Sequence, residues 1–440
     1  MRTLKLKPDA PAWLVSIIAA LGALGTYTFM YAYRKSFTAG TFEGLQFLDI
    51  DYKVWLVFAQ IIGYATSKFY GIRYIAEVKP ESRIKKIIAC IVIAWIALLG
   101  FALIPAPYNI PFLLINGFPL GMVWGLVFSF LEGRKTTEVL GAILASSLIF
   151  ASGLVKSVGR WMLSLPVSEF WMPFLVGALF FVPLIISLFL LHLLPPPTAE
   201  DKALRSDRGP MNKTQRKDFL KEFFPGIVIT VFVYMILTVI RDVRDNFEVE
   251  IWHWLGVTNY NIFVWVDGCI TIAVLLLVAF LFLVKKNLRA LNIIHLFVIG
   301  GSLLTGLSTL LFLNGEANPV WWMITVSFGL FLSYIPYNAI FFDRLIAAFK
   351  VKGNVGFLIY IADSVGYLGS VSVLTWKEFG AGSINWGQFF IQAIIVFSVI
   401  GFIAGLASML YFNHKYQRNK KEDSDLFNNM HHAKVEAELL

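Results

Sequence analysis

The residues most able to do chemistry lie where charge is least expected. Arg34, Lys68, Lys156, Arg160, Arg241, Arg244, Asp267 and Asp363 all fall inside long apolar stretches. Each costs a few kcal/mol in hydrocarbon unless it is paired or faces a water-filled cavity. So many together imply a polar interior, hence a pathway or a binding site. A guanidinium presents a planar fork that grips phosphate or carboxylate oxygens in bidentate fashion. Arg34 closes the aromatic run "TYTFMYAYR", and Arg241 and Arg244 stand three residues apart, on nearly one helix face. Asp267 and Asp363 could load a proton or answer a lysine. The chemistry on offer is recognition of a small anion, with proton coupling as the alternative. A competing reading of Arg34 is an aromatic-flanked arginine that snorkels to the membrane interface.

The elements that must position these groups are membrane helices. The chain has 440 residues, 58% hydrophobic and 15% charged, with a mean hydropathy of +0.71. Soluble domains average about 25% charged residues. A bilayer core needs about 20 apolar residues per helix, and such runs occur near 12–34, 54–76, 84–104, 111–130, 139–160, 170–194, 223–244, 259–284, 289–313, 319–342, 353–375 and 386–412. They are too apolar all round for barrel strands. The first run is long and carries no cleavage pattern, so it is expected to stay as a span. The fold class expected is all-α: a polytopic membrane protein of about twelve transmembrane helices.

Loop charges set the expected orientation. Arg2, Lys5 and Lys7, then Lys79, Arg83, Lys85 and Lys86, then Arg134 and Lys135 fall on one side. The same side carries Lys285, Lys286 and Arg289, then Arg344, Lys350 and Lys352, and the tail from Lys415. The opposite loops "PAPYNIP", "SLPVSEF" and "NGEANP" contain neither Lys nor Arg. Lys/Arg-rich short loops stay in the cytoplasm, so both termini are expected there. The formal net charge of +9 is then a topology signal, with no nucleic-acid partner implied. The partners expected are the lipid bilayer and a small anionic substrate, and the protein is expected to be a monomer in a bacterial cytoplasmic membrane.

The expected organisation is a six-helix half over 1–194, a cytoplasmic connector over 195–222, a second half over 223–412 and a cytoplasmic tail over 413–440. No phosphate-binding loop, nucleophile elbow or zinc-protease motif occurs, which argues against an enzyme. No metal or cofactor is expected: Cys90 and Cys269 sit in apolar runs without ligand-spaced partners, and His431 and His432 read as solvated. His295 reads as satisfied by a neighbouring helix. The glycine ladders Gly117-Gly121-Gly125 and Gly366-Gly369 read as close helix packing. The two halves echo each other, Arg34-x-x-Phe37 against Arg244-x-x-Phe247. The first helix of each half also looks overlong, from Trp13 to about Gly44 (roughly 47 Å) and from Phe223 to about Trp254.

Several segments resemble a known family. They are "YAYRKSF", "GYATSKFYG", "NGFPLGMVWG", "SYIPYNA" and "DSVGYLGSVS", in order over most of the chain. Together with the 6+6 plan they resemble the major facilitator superfamily, and within it the organophosphate:phosphate antiporters. The chain also resembles a bacterial membrane family with no assigned function. The antiporter resemblance implies that Arg34 and either Arg241 or Arg244 bind the anion from opposite halves, with Lys68 nearby. The function it implies is secondary active transport of a phosphorylated metabolite by alternating access, in antiport with phosphate. The chain departs from that pattern in Asp242 and Asp245 beside the arginines, in Asp363, in a loop without the usual Asp-Arg and in lacking the family's span-5 histidine.

Two other functions fit the residues. One is a proton-coupled symporter of a neutral nutrient, with Asp267 or Asp363 as the loading carboxylate. The other is a polytopic membrane enzyme or a receptor that transports nothing. On the transport reading, Tyr31 and Tyr33 are expected to bound the cavity beside Arg34. Lys156–Asp267 and Lys68–Asp363 are expected to pair as gate latches between the halves.

Overall fold

The computed structural model describes residues 5–6, 10–132, 134, 136–196, 198, 213–259, 261–349, 355–380 and 384–438. Most of the expected connector, together with Arg2, Lys7, Lys135, Lys350 and Lys352, lies outside them. Among the described residues the chain is all-α apart from one small hairpin. The helices are α1 (Ala12–Lys35), α2 (Tyr52–Glu77), α3 (Arg83–Leu103), α4 (Ile110–Leu131), α5 (Thr137–Leu163) and α6 (Met172–His192). They continue as α7 (Lys213–Trp254), α8 (Asn261–Leu283), α9 (Asn287–Leu313), α10 (Pro319–Pro336), α11 (Val355–Phe379) and α12 (Trp386–Glu438). Helix α10 is prolonged by a π turn, Tyr337–Phe341, and a last segment, Phe342–Phe349. Ten of these helices are long and apolar enough to cross a membrane. The protein is a multi-pass integral membrane protein. At the bundle end far from the termini, Trp161, Trp171, Trp254, Trp265, Trp321 and Trp376 are exposed, an aromatic belt of the kind found at membrane interfaces.

Helix α1 packs on α5 and α6, and α2 and α3 on α4; α7 packs on α11 and α12, and α9 on α10 and α12. The two groups meet mainly where α5 lies on α8 and α2 on α11. Close approach of α2 to α4 needs glycine. A Cβ at Gly117 would strike the Gln60 carbonyl, and one at Gly121 would strike the Ser67 hydroxyl. These glycines therefore hold α2, with Gln60 and Lys68, against the bundle.

Helix α1 is shorter than its apolar pattern suggested. It ends at Lys35, passes through a 3-10 turn at Ser36–Ala39, and leaves the helical path at Gly40. The chain then makes the hairpin Gln46–Phe47 against Ile50–Asp51, with Phe42, Gly44, Leu48 and Asp49 at positive φ. Helix α7 does reach Trp254, but its backbone departs from helical geometry at Phe223 and Phe247. The first departure stands two residues before Pro225, whose ring displaces the preceding turn. Pro336 acts similarly in α10: it cannot bond the Leu332 carbonyl, and the helix widens into the π turn that carries Asn338.

Candidate functional site

Arg34 stands one residue before the end of α1, where helical carbonyls lose their intrahelical donors. Side chains from the neighbours supply them. Asn116 on α4 donates to the Tyr33 carbonyl at 2.9 Å and to Ala94 at 3.0 Å, and Gln60 on α2 donates to the Arg34 carbonyl. Gln60 and Asn116 also bond each other at 3.0 Å. The backbone under Arg34 is thus clamped by two helices, and its side chain is only 6% exposed. An arginine so placed does not snorkel, which removes the interfacial reading.

The Arg34 guanidinium lies 3.7 Å from the Tyr64 ring centre and 5.7 Å from Tyr31. Its Nε has no hydrogen-bond partner. Among the described residues no carboxylate lies within 4.0 Å of it. It opens onto a narrow cavity of ≈ 40 Å³ between the two helix groups. Arg241 and Arg244 line the same cavity from α7, and both are engaged. Arg241 bonds Asp242 at 2.7 and 3.2 Å and donates to the Tyr334 hydroxyl, over whose ring it sits at 4.6 Å. Arg244 reaches Asp267 at 2.5 Å, Glu248 at 3.3 Å and Ser327 at 2.7 Å.

The charges are divided unevenly. Helices α1–α6 supply this cluster with cations alone: Arg34, Lys35, Lys68 and Lys156. All its carboxylates come from α7, α8 and α11: Asp242, Asp245, Glu248, Asp267 and Asp363. Ion pairs therefore cross between the groups. Lys156, fully buried, holds Glu248 at 2.8 Å and Asp245 at 3.0 Å; Lys35 lies 3.8 Å from Asp245; Lys68 lies 3.4 Å from Asp363. Asp245 also accepts from the Tyr31 hydroxyl at 2.7 Å and Ser152 at 2.6 Å. Asp363 accepts from Tyr234 at 2.6 Å, whose oxygen in turn accepts from Asn338 at 2.6 Å. Toward the far end Lys53 bonds Glu250 at 2.5 Å and the Thr38 carbonyl at 2.9 Å. Beyond that layer a vestibule of ≈ 730 Å³ lies between the hairpin side and the ends of α7, α11 and α12. It shares no lining residue with the central cavity.

The structure thus brings Arg34, Lys68, Arg241, Arg244, Tyr31 and Asp363 to one cavity. Two expectations need correction. Tyr33 does not line it: its ring packs edge-on against Trp95 at 5.9 Å, beside Gly177. Successive helical residues are about 100° apart, so Tyr31 and Arg34 share a face while Tyr33 points into the α3–α6 side. Lys156 pairs with Asp245 and Glu248, not with Asp267, because Arg244 on the adjacent helix already takes Asp267. Sequence reasoning missed Lys35, Lys53, Glu248 and Glu250 as site-layer charges, and Tyr27, Tyr64, Tyr334 and Tyr367 as cavity walls. The spacing of Tyr27, Tyr31 and Arg34, and of Arg241, Asp245 and Glu248, carried the signal: each set recurs every three or four residues. His295 bonds the Leu291 carbonyl at 2.8 Å and Ser408 at 2.9 Å, away from the cavity.

The fold is similar to that of solved transporters, one of them described as a major facilitator superfamily proton:xylose symporter. A D-xylose–proton symporter matches it with a TM-score of 0.60 at 15% identity, over 90% of this chain and 97% of that one. The xylose transporter XylE from E. coli, in an inward-open conformation, matches at 0.58 and 14% identity, over 90% and 95%. A nucleoside transporter, NupG, matches at 0.57 and 13%, over 90% and 99%. No curated protein matches by sequence. Residues 36–415 match a family of unknown function, DUF5690, and the chain belongs to that family.

Proposed function

We propose that the protein is a secondary active transporter of a small organic anion that works by alternating access. The observation that carries this is Arg34: a buried guanidinium, without a carboxylate, facing a cavity shared by two helix groups. An uncompensated buried cation is costly, and a ligand anion supplies the missing charge in bidentate form. The structural neighbours, sugar and nucleoside transporters, support the transport half of the reading. The cross-group pairs supply the switch. Opening the far end requires Lys35, Lys53 and Lys156 to leave Asp245, Glu248 and Glu250, and a ligand moves that equilibrium only through unequal affinity for the two states. We further propose that the protein acts as a monomer in a bacterial cytoplasmic membrane, with both termini cytoplasmic. The antiporter resemblance implies a finer form, exchange of a phosphorylated metabolite against phosphate, which the net charge of the cavity disfavours.

A second reading is proton-coupled symport of a neutral nutrient. It is favoured by Asp363, a carboxylate in the cavity wall held by Lys68 and Tyr234. Counterflow in sealed proteoliposomes separates the two. Exchange of labelled organic anions or phosphate without a pH gradient supports the first. Uptake of a neutral sugar or nucleoside that requires the gradient supports the second. Chemical turnover of a substrate without movement across the bilayer overturns both.

A further inference from the structure

The cavity's charge count restricts its ligand more sharply than the presence of an arginine does. Its wall carries the cations Arg34, Lys68, Arg241 and Arg244 and the carboxylates Asp242, Asp245 and Asp363. Behind the wall Lys35 and Lys156 are matched by Glu248 and Asp267. At either radius one cation is left over, and the pairing identifies it as Arg34. The remaining wall is neutral and amphipathic. Tyr27, Tyr31, Tyr64, Tyr334 and Tyr367 line it, and Asn338 and Ser152 add short polar groups.

Resting on the anion-transport reading, we propose that the ligand is a polyhydroxylated monocarboxylate, a singly charged sugar acid, and not a dianion such as a phosphate monoester. One carboxylate completes the Arg34 fork and brings the site to neutrality. A dianion leaves one negative charge buried without a partner, and a neutral sugar leaves Arg34 as it stands; both carry the penalty of an unmatched buried charge. The ligand's hydroxyls meet what the wall offers. Asp242 and Asp363 keep unused lone pairs beside their ion pairs, since each carboxylate has about four acceptor sites. Asp245 is already filled by Tyr31, Ser152, Lys156 and Lys35. The tyrosine rings cover the ligand's C–H faces.

The test uses the purified full-length protein and three probes: gluconate, glucose 6-phosphate and glucose. Binding is read by calorimetry or by the fluorescence of Trp124, which lines the cavity. At about pH 8 the phosphate ester is a dianion, and gluconate should bind at least about ten-fold tighter. Lowering the pH to about 5 protonates the ester past its second pKa near 6, so the ratio should fall toward one. Protonation of a wall carboxylate would raise the cavity charge and move the ratio in the same direction, so the variant comparison is made at a fixed pH of about 8. Asp242→Asn raises the cavity charge by one and should swing preference toward the dianionic ester by about ten-fold or more. Tighter binding of glucose 6-phosphate at pH 8, or a ratio that neither pH nor Asp242→Asn moves, overturns the monoanion assignment and leaves anion transport standing. Binding of glucose alone, or of no probe, overturns both.

Discussion

Lys156→Met tests the idea that cross-group ion pairs hold the far end shut. Lys156 is fully buried, with its ammonium 2.8 Å from Glu248 and 3.0 Å from Asp245. At 2.8 Å and an effective dielectric of about 20, each attraction is about 6 kcal/mol before desolvation. Removing one partner of a buried pair typically costs about 3–5 kcal/mol, because the other charge is stranded. Here the stranded groups belong to α7, and Lys35 at 3.8 Å and Arg244 at 3.3 Å compensate them only in part. In a far-open state Lys156 has already left these carboxylates, so the loss falls on the closed state alone. The closed-to-open ratio should therefore drop by roughly 150- to several-thousand-fold. The assay is electron–electron distance measurement between spin labels at Leu48 and Phe379, which are exposed on opposite helix groups at the far end, with Cys90 and Cys269 replaced. The variant should shift the distribution to longer separations, and Glu248→Gln in the Lys156→Met background should add less than it does alone. An unchanged distribution in Lys156→Met would refute the latch.

Reporter fusions after Glu169 and after Glu316 should both read as outside, since the loops they occupy lack Lys and Arg; a cytoplasmic signal at either reverses the orientation. Tyr31→Phe removes a 2.7 Å bond to a buried carboxylate and should lower stability by about 1.5–3 kcal/mol. Tyr33→Phe removes an unpartnered hydroxyl and should stay within about 0.5 kcal/mol; equal losses in thermal unfolding would contradict the assigned faces. Asn116→Ala strands the Tyr33 and Ala94 carbonyls at about 1–3 kcal/mol each. It should also weaken ligand binding through Arg34, and a stable variant with unchanged affinity would refute the clamp.

Much of the fold was legible because its cause is one-dimensional. Apolar runs of membrane length and alternating loop charge need no tertiary information, and they located twelve helices. The end of α1 was not legible, because Ser36 to Phe42 holds neither proline nor charge, yet the backbone turns extended at Gly40. For the site, the unusual placement of Arg34, Lys68, Arg241, Arg244 and Asp363 was visible directly. Their partners were not. Which carboxylate Lys156 takes depends on Arg244 reaching Asp267 first, a contest settled between helices far apart in the chain. Tyr33 was misplaced for a simpler reason: adjacency in sequence was read as adjacency in space, although the helix turns it away from Arg34.

The most direct test of the central claim is anion exchange in proteoliposomes with wild type and Arg34→Lys. Lysine keeps the charge but loses the fork. Disrupting one partner of a buried, hydrogen-bonded charge pair costs about 2–5 kcal/mol, roughly 30- to several-thousand-fold in affinity. The account predicts that loss for the transported anion, with Arg34→Lys still folded and inserted. Exchange by Arg34→Lys at the wild-type affinity and rate would contradict it.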